Sequence, residues 1–317
     1  MFDVIVNPVG AGWKTLSLWQ EAKTILKENK AECRVHFSSR EKSLSDITAE
    51  ITGDGNRHDL IVIGGDGSMN EIINGIQDFH NTRIGLIPCG SANDFAKSLG
   101  IEKDLRKNVS AILEGKVKHT LDIGVLTYLN CFDENDREVK MEKPYARRFN
   151  NAGSIGFDAE ICYEAEASKL KGILNKMNLG KLIYILVALK VIFQTKMVPA
   201  EIRIGNEKIN YEKMLLAVGM NELYEGGGFK FAPEAVNNDG MLDLCCADHL
   251  SRFDFFRMFP YAYNGSHIRF DGVHTDRFQE LEIMTKVPLW VQTDGEVSFK
   301  SSHIRINMLA EKLQMLN

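Results

Sequence analysis

The first 120 residues alternate short apolar runs with amphipathic stretches. Apolar runs of strand length lie at residues 4–7, 33–37, 60–65 and 84–88, and helix-like periodicity separates them at 17–29, 43–52 and 69–76. The runs at 60–65 and 84–88 are continuous, and each leads into a turn that contains glycine. Continuous runs of Val, Ile and Leu are typical of parallel strands buried between helices. The pattern predicts an α/β N-terminal domain with a parallel sheet at residues 1–120, with its ligand site at the carboxyl ends of the strands.

After about residue 120 the pattern changes to strand-like segments with few helices between them. These segments lie at 145–153, 201–211, 213–220, 240–248, 277–285, 289–299 and 303–309. The pair Gly205-Asn206 inside one of them is a two-residue hairpin signal. We therefore expect a mainly antiparallel β-sandwich domain at residues 121–317. Its last run, 303–309, either closes this domain or returns to the first one.

Composition and charge exclude several classes of protein. The formal net charge of −5 offers no clustered basic excess, so a nucleic-acid partner is not expected. The six cysteines include no C-x-x-C pair, and the N-terminus shows no basic segment followed by an apolar run, which predicts a reduced, cytoplasmic protein. The most apolar stretch, 182–193, contains Lys190 and is shorter than a membrane-spanning helix.

The segment Gly64-Gly65-Asp66-Gly67-Ser68 joins a predicted buried strand to a predicted helix. Its glycines allow main-chain N–H groups and the helix N-terminus to converge on anionic oxygens, as in a phosphate-binding turn. Asp66 would repel a phosphate unless a divalent cation or a buried hydrogen-bond partner accompanied it, which suggests Mg²⁺. Asn70 and Glu71 can support the helix. We interpret the turn as the site of a nucleotide that donates a phosphoryl group; a purely structural tight turn is the alternative.

A second turn of the same kind strengthens this interpretation. Gly90-Ser91 follows the run at 84–88, and Asn93-Asp94 opens the next helix. The two turns are one βαβ crossover apart, so we expect them side by side at one edge of the sheet. The segment 7–12 could complete the wall or be a plain Pro/Gly turn. Neither a P-loop nor a G-x-G-x-x-G motif is present.

These segments resemble a known family. VNPVGAG, GGDGSMNEIING and PCGSANDFAKSLG are similar to the N-terminal signatures of the diacylglycerol kinase catalytic family, in particular bacterial lipid kinases related to sphingosine kinases. FNNAGSIGFDAEI, FAPEAVNNDGMLDL and QTDGEVS resemble its C-terminal motifs in the same order, so the likeness covers nearly the whole chain. Serine stands at 68 and 91, where threonine is commoner. The resemblance implies the NAD kinase/diacylglycerol kinase-like fold.

The resemblance also implies that ATP and Mg²⁺ are the cofactors, with Asp66 and Asp94 positioning the catalytic metal ion. The residues that match nucleotide contacts of the family are Ser38, Gly64, Gly65, Asp66, Gly67, Ser68, Met69, Asn70, Glu71, Gly90, Ser91 and Asn93. Ser39 is the alternative to Ser38. Asn93 could equally act as a helix N-cap, which is compatible with a role near phosphate.

Two acidic segments of the second domain are further candidates. The segment 236–241 matches a loop that holds a structural Mg²⁺ through the Asp239 carboxylate and the carbonyls of Val236 and Met241; its residues alone indicate a turn. Asp294 and Glu296 flank a glycine after a strand-like run, so one could accept a proton from an attacking hydroxyl while the other orients it. A hairpin turn with solvated acids is the alternative. The family assigns its base to this element, which favours Glu296 and then Asp294.

The stretch 167–200 points to the acceptor. It carries lysines at 169, 171, 176, 181, 190 and 196, and between 169 and 200 it has no acidic residue. A lysine-flanked apolar helix could rest on the inner face of an anionic membrane, or it could cover the sheet as a core helix. We expect a lipid substrate, most simply diacylglycerol giving phosphatidic acid in phospholipid biosynthesis. Other acceptors (a sphingoid base, phosphatidylglycerol, NAD) and a non-catalytic lipid sensor are the rivals, and a homodimer is left open.

Overall fold

A computed structural model describes residues 1–168 and 180–317 of the chain. These residues form two compact units. The first comprises Met1–Ile123 together with Ala310–Asn317, and the second comprises Gly124–Leu309.

The first unit is built on a six-stranded sheet with the order β2-β1-β3-β4-β15-β5. Its strands are β1 (Phe2–Val6), β2 (Cys33–Phe37), β3 (His58–Gly64), β4 (Thr82–Pro88), β5 (His119–Leu121) and β15 (Leu313–Met315). Strands β1 to β4 are mutually parallel, and β15 is parallel to β4 but antiparallel to β5. The sheet is therefore mostly parallel, with an antiparallel edge.

The helices of the first unit are α1 (Lys14–Glu28), α2 (Leu44–Thr52), α3 (Asp66–Gly75), α4 (Asp94–Ser98) and α5 (Leu105–Leu113), and a short 3₁₀ helix at Gly10–Trp13 precedes α1. Trp19 of α1 and Ile112 of α5 pack with Val4 and Ile61 of the sheet in one core. Helices α2 and α3 pack against each other. The buried strands are thus covered by amphipathic helices, as their continuous apolar runs predict.

The second unit contains a nine-stranded antiparallel sheet. Its strands are β6 (Gly124–Tyr128), β7 (Tyr145–Phe149), β8 (Ala152–Gly156), β9 (Val198–Ile204), β10 (Glu207–Met220), β11 (Leu242–Asp248), β12 (Val273–Phe278), β13 (Glu280–Thr293) and β14 (Glu296–Met308). The long strands β10 and β13 each pair with β9 along one half and with β8 along the other. The sheet encloses an apolar core that includes Phe149, Ile202 and Phe278.

Helices of the second unit lie beside this sheet. They are α6 (Phe157–Ala167), α7 (Gly180–Val191) and α8 (Arg252–Met258), followed by 3₁₀ helices at Phe259–Tyr263 and Ser266–Arg269. A second apolar cluster joins them to the sheet, with Phe157, Val191 and Phe255 among its members. Within the described ranges, no helix is both long enough and apolar enough to cross a bilayer.

The architecture confirms the predicted fold class, an α/β domain followed by a mainly antiparallel β domain. The run 303–309 ends strand β14 and so closes the β domain. A later and shorter strand, β15, returns to the first sheet, where the Leu316 amide donates to the Ile84 carbonyl at 2.7 Å.

Candidate active site

The carboxyl ends of four parallel strands bring most of the predicted nucleotide residues to one edge of the first sheet. Strands β1, β2, β3 and β4 run in register, so the segments that follow them emerge at the same edge. These segments are 7–12 after β1, Ser38 after β2, Gly64–Ser68 at the end of β3, and Gly90–Asp94 after β4. The predicted juxtaposition of the two glycine turns is therefore present.

The two glycine turns touch through their main chains. A Cβ atom built on Gly65 would lie 2.7 Å from the Cα atom of Gly90, and one built on Gly90 would lie 2.8 Å from the Cα atom of Gly65. The Cys89 amide donates to the Gly64 carbonyl at 2.8 Å, which ties the turns together. A methyl group at either glycine would collide with the main chain of the other turn. The close approach of the two turns therefore requires glycine at both positions.

Helix α3 begins directly in the first turn. Gly65 occupies its N-cap position in an extended conformation, and no side chain caps the helix there. The main-chain N–H groups of the first helical turn have no acceptor within the helix, and the helix dipole places positive potential on them. A Cβ atom at Gly64 would overlap the Ser68 side chain, so the tight entry into α3 also needs glycine at Gly64. This is the geometry of an anion site.

Two carboxylates lie next to these turns. The Phe95 amide donates to Asp66 Oδ1 at 3.1 Å, so Asp66 supports the start of α4. Asp94 is buried, and Lys97 donates to its Oδ1 at 2.6 Å. Burial raises the pKa of Asp66, and the Asp94 carboxylate raises that pKa further. Two close carboxylates with oxygen ligands are a donor set that suits Mg²⁺.

The second turn is held by Asn93. This residue has a positive φ of 52° and occupies the N-cap position of α4, but its side chain makes no capping hydrogen bond. Instead its Oδ1 accepts from the Gly90 amide at 2.6 Å, and its Nδ2 donates to the Gly90 carbonyl at 2.9 Å. Asn93 thus shapes the turn, while the neighbouring Ser91 stays exposed.

Three of the predicted nucleotide residues have other structural roles. Met69 is fully buried in the core, and Asn70 is also fully buried, with its carbonyl accepting from the Asn74 side chain. Glu71 accepts from the Leu44 amide at 3.1 Å and so links α3 to α2. These side chains stabilise the helix behind the turn. Ser38 is half-buried, and its amide donates to the Val6 carbonyl at the sheet edge.

Two lysines near the second turn were not among the predicted site residues. Lys97 pairs with Asp94, and the i, i+3 spacing in the helix pattern was the available signal. Lys14 begins α1 and lies close enough to Cys89 for its charge to affect that thiol. Both supply positive charge beside a candidate phosphate site.

In the second unit, Asp294 and Gly295 form the two-residue turn between β13 and β14. Their φ values of 51° and 86° are those of a tight hairpin turn. The Asp294 carboxylate is buried and accepts three main-chain hydrogen bonds of 2.8–3.0 Å, from the amides of Asn150, Asn151 and Ala152. This arrangement satisfies the carboxylate and ties the turn to the segment before β8.

Glu296 has a different environment. It is the first residue of β14, opposite Thr293, and it is exposed. Its carboxylate has no hydrogen-bond or ion-pair partner among the residues that the structure describes. Of the two predicted acids, the geometry leaves Glu296 as the one whose carboxylate is free to take a proton.

The predicted structural metal loop is occupied by an ion pair. Arg277 donates to Asp239 Oδ2, and the Met241 amide donates to Asp239 Oδ1 at 3.1 Å. The neighbouring Asp243 is buried, and its Oδ2 has no hydrogen-bond partner in the described part of the chain. Burial raises the pKa of Asp243, although Arg277 opposes this. The acidic oxygens of the loop suit a cation, and the Arg277 guanidinium supplies that positive charge.

In the described ranges, these acids are not part of a larger cluster of metal-ligating side chains. Among residues 1–168 and 180–317, no group of three or more His, Cys, Asp and Glu side chains could hold a metal ion. Mg²⁺ is commonly bound by one or two carboxylates together with phosphate oxygens and water.

The second unit also contains an apolar pocket beneath α6, α7 and α8. Its cavity volume is about 70 Å³. Most of its lining is aliphatic and aromatic, and the ionisable lining residues are Asp158, Cys162 and His267. Burial raises the pKa of Asp158 and lowers the pKa of His267, so it favours the uncharged form of both. The pocket suits an uncharged, largely apolar ligand.

Helix α7 contains part of the lysine-rich stretch. Val187, Ala188 and Val191 are buried, while Leu186 and Leu189 are exposed, so the helix has one face in the core and one outside it. Lys190 pairs with Glu164 at 2.7 Å. Lys169, Lys171 and Lys176 lie outside the described residues, so the membrane interpretation of this stretch stays a prediction.

Comparison with known proteins identifies both parts of the chain. Residues 2–126 match the model of the diacylglycerol kinase catalytic domain. Residues 152–316, more than half of the chain, match the YegS C-terminal NAD kinase beta sandwich-like domain.

Curated relatives and solved structures agree with these matches. The chain is 25% identical over 296 residues to the Bacillus subtilis protein YtlR, covering 92% of each. It is 28% identical over 268 residues to the Bacillus subtilis diacylglycerol kinase, covering 81% of this chain and 80% of that protein. A crystal structure of a Bacillus anthracis protein assigned to the diacylglycerol kinases shares the fold, with a TM-score of 0.72, 19% identity, and coverage of 99% and 96%. The chain therefore belongs to the diacylglycerol kinase catalytic family of lipid kinases.

Proposed function

We propose that this protein is an ATP- and Mg²⁺-dependent kinase that transfers the γ-phosphoryl group of ATP to the free hydroxyl of diacylglycerol, giving phosphatidic acid. The observation that carries the proposal is the main-chain contact between the two glycine turns, because it brings the N-terminus of α3 beside the second turn at the sheet edge. Such an edge suits the phosphates of a nucleotide.

The donor half of the reaction belongs to the first unit. The first-turn amides of α3 would bind phosphate oxygens, and Lys14 and Lys97 would add positive charge beside them. Asp66 and Asp94 would hold Mg²⁺ together with those oxygens, and the cation would oppose the burial that raises the pKa of Asp66. When bound, Mg²⁺ would neutralise the charge that develops on the transferred phosphoryl group.

The acceptor half belongs to the second unit. Glu296 would accept the proton of the attacking lipid hydroxyl, since it is exposed and its carboxylate has no partner among the described residues. Asp294 would position the turn that carries Glu296, because its own oxygens are engaged by amides. Asp239 and the carbonyls of Val236 and Met241 would hold a structural Mg²⁺ only in competition with Arg277.

The apolar pocket supports a lipid acceptor. Burying acyl methylene groups is worth about 0.8 kcal/mol each, and the pocket is lined almost wholly by apolar side chains. A soluble acceptor such as NAD would leave its polar groups unpaired in such a pocket.

Contact with the membrane surface is the second element of the proposal. Exposed apolar side chains come from the region of α7 and from α8: Leu186, Leu189, Phe193, Phe253 and Phe256. The Phe193 and Phe256 rings lie 5.7 Å apart, so the two groups are continuous. An exposed apolar patch bordered by Arg252 and Arg257 suits the interface of an anionic leaflet.

The test is transfer of label from γ-radiolabelled ATP to lipids in mixed micelles, with diacylglycerol, sphingosine and phosphatidylglycerol as parallel acceptors. We expect Mg²⁺-dependent labelling of diacylglycerol above the other two. Labelling of a different lipid would replace the acceptor but retain the kinase. ATP binding without labelling of any lipid would overturn the proposal in favour of a lipid-sensing protein.

A further inference from the structure

Asp158 is an acidic side chain in an apolar environment that the proposed chemistry does not use. It lies in the first turn of α6, directly after β8, and is only 8% exposed. It lines the apolar pocket together with Phe157 and Phe255. Because burying a charge in such surroundings is costly, a carboxyl group here needs a specific reason.

The hydrogen bonds of Asp158 are confined to one oxygen. Ser154 Oγ donates to Oδ2 at 2.6 Å, and Gln292 Nε2 donates to the same Oδ2 at 2.8 Å. Oδ1 has no hydrogen-bond partner among the described residues. Since Oδ2 already accepts twice, we assign the proton of the uncharged form to Oδ1; Asp158 lines the pocket, so that proton would be available to a molecule bound there. Burial, which raises the pKa of Asp158, favours that form.

Gln292 connects this acid to the turn that carries Glu296. Its side chain is fully buried, and its Oε1 accepts from the Gly295 amide at 2.6 Å. One amide side chain therefore bridges Asp158 and the two-residue turn. Gln292 thus links the Asp158 carboxyl group to the turn through two hydrogen bonds.

We propose that Asp158 is a specificity-determining residue of the acceptor site, whose Oδ1–H donates a hydrogen bond to an uncharged oxygen of the lipid, such as an ester carbonyl. The same bond fixes the lipid relative to the turn through Gln292. This proposal rests on the proposed lipid kinase function. It predicts that the acceptor lipid offers a hydrogen-bond acceptor oxygen at this point of the pocket.

The experiment compares two variants, Asp158→Asn and Asp158→Leu. Asparagine can place its amide oxygen where Oδ2 accepts and its N–H₂ toward the pocket, so it keeps the donor without any charge. Leucine removes it. We expect the KM for diacylglycerol to change less than about threefold in the first variant and to rise about tenfold in the second, with the KM for ATP unchanged in both.

Binding of a fluorescent short-chain diacylglycerol gives a second readout that does not depend on turnover. It should weaken about tenfold for Asp158→Leu and little for Asp158→Asn. Equal losses in the two variants would show that the carboxylate itself is needed and would overturn the proposal, as would unchanged binding in both. If the fluorescent lipid binds in this pattern while no variant or wild type transfers phosphate, the kinase function fails and the recognition role stands.

Gln292→Leu tests the connection, with Gln279→Leu as its matched control, because Gln279 is an exposed glutamine of the same unit. We expect Gln292→Leu to lower kcat while leaving binding of the fluorescent lipid within about threefold of wild type. A kcat equal to that of the Gln279 control would overturn the positional part of the proposal.

Discussion

The turn at Gly64–Ser68 and the turn at Thr293–Glu296 both place an acid beside glycine, yet their surroundings differ. In the first, two main chains approach so closely that no side chain fits between them, and the first-turn amides of α3 have no acceptor in the helix. In the second, Asp294 supplies the acceptor for three main-chain amides. Among the described residues, the first turn therefore has amides available to a ligand, whereas the amides that face Asp294 are satisfied.

This difference separates residues that are suited to binding a ligand from residues that stabilise the fold. Open amides at a helix N-terminus can receive an anion, so the first turn is suited to ligand binding. Satisfied amides cannot, so Asp294 has a structural role, and Glu296 is the acid that we propose for the chemistry. An acid next to glycine therefore has a different role in each of the two turns.

The largest expected effect comes from Glu296→Gln. Loss of the proposed base should lower kcat by about 10²–10⁴-fold without changing the melting temperature, because the side chain is exposed. Glu207→Gln is the matched control, since Glu207 also follows a two-residue hairpin turn and is exposed. Lipid phosphorylation and thermal unfolding are measured on both. Full activity of the Glu296→Gln enzyme would assign the proton acceptor elsewhere.

Asp294→Asn should reverse this pattern. Asparagine tolerates the positive φ of 51°, but it keeps one acceptor oxygen and directs N–H₂ at amide donors. We expect a loss of about 2–4 kcal/mol in the free energy of unfolding, read from urea titrations. Asp136→Asn, another aspartate with positive φ but an exposed side chain, should cost less than about 1 kcal/mol. Similar losses for the two would contradict the role given to Asp294.

Gly65→Ala tests the close approach in the first turn. The added methyl group would lie 2.7 Å from the Gly90 Cα atom, so the turns must separate. We expect a loss of about 1–3 kcal/mol in stability together with weaker ATP binding, measured by calorimetry. The control is Gly115→Ala, where φ is positive but nothing lies within 4 Å of the new methyl group. It should lower stability without affecting ATP binding.

The smallest effect concerns pH. The pKa of Asp66 is raised above its ordinary value of 3.8, so the folded protein binds this proton more tightly than the unfolded chain does. Its stabilising contribution is therefore complete below pH 3.8 and is lost as the pH rises through the folded-state pKa. Asp66→Asn should gain stability relative to wild type over that range, by about 1.4 kcal/mol for each tenfold difference in proton affinity between the folded and unfolded states.

Urea titrations between pH 3.5 and 8 without nucleotide or Mg²⁺ would measure this gain. Asp78 gives a control of opposite sign, because hydrogen bonds from Asn81 lower its pKa. Asp78→Asn should therefore lose stability relative to wild type as the pH rises. A flat difference for Asp66→Asn would mean that the first turn does not strain its carboxylate.

Much of the fold was predictable because its signals are local. The apolar runs at 60–65 and 84–88 are strands β3 and β4, and the glycine turns after them begin helices as expected. The helical periodicity after the first turn also indicates which residues are buried, and the family motif does not. Met69, Ile72, Ile73 and Ile76 repeat at helical spacing and are all fully buried, so the segment that matches nucleotide contacts is partly a core face.

The rest depends on contacts between residues far apart in sequence. The amides that satisfy Asp294 belong to Asn150, Asn151 and Ala152, and nothing near Asp294 indicates them. The pairing of Gly65 with Gly90 likewise needs the register of two strands. The ion pair of Arg277 with Asp239 joins β12 to the predicted metal loop across 38 positions. Such partners are set by tertiary structure.

Strand β15 has a consequence for how the protein is made. It lies between β4 and β5, and Asn317 bonds to both the amide and the carbonyl of Leu86. A ribosome that has released residues 1–123 has therefore not yet supplied the neighbour of β4, the strand that leads into the second glycine turn. The first unit can reach its final form only after residues 124–309 have been translated. The order of synthesis thus delays completion of the first sheet until the β domain exists.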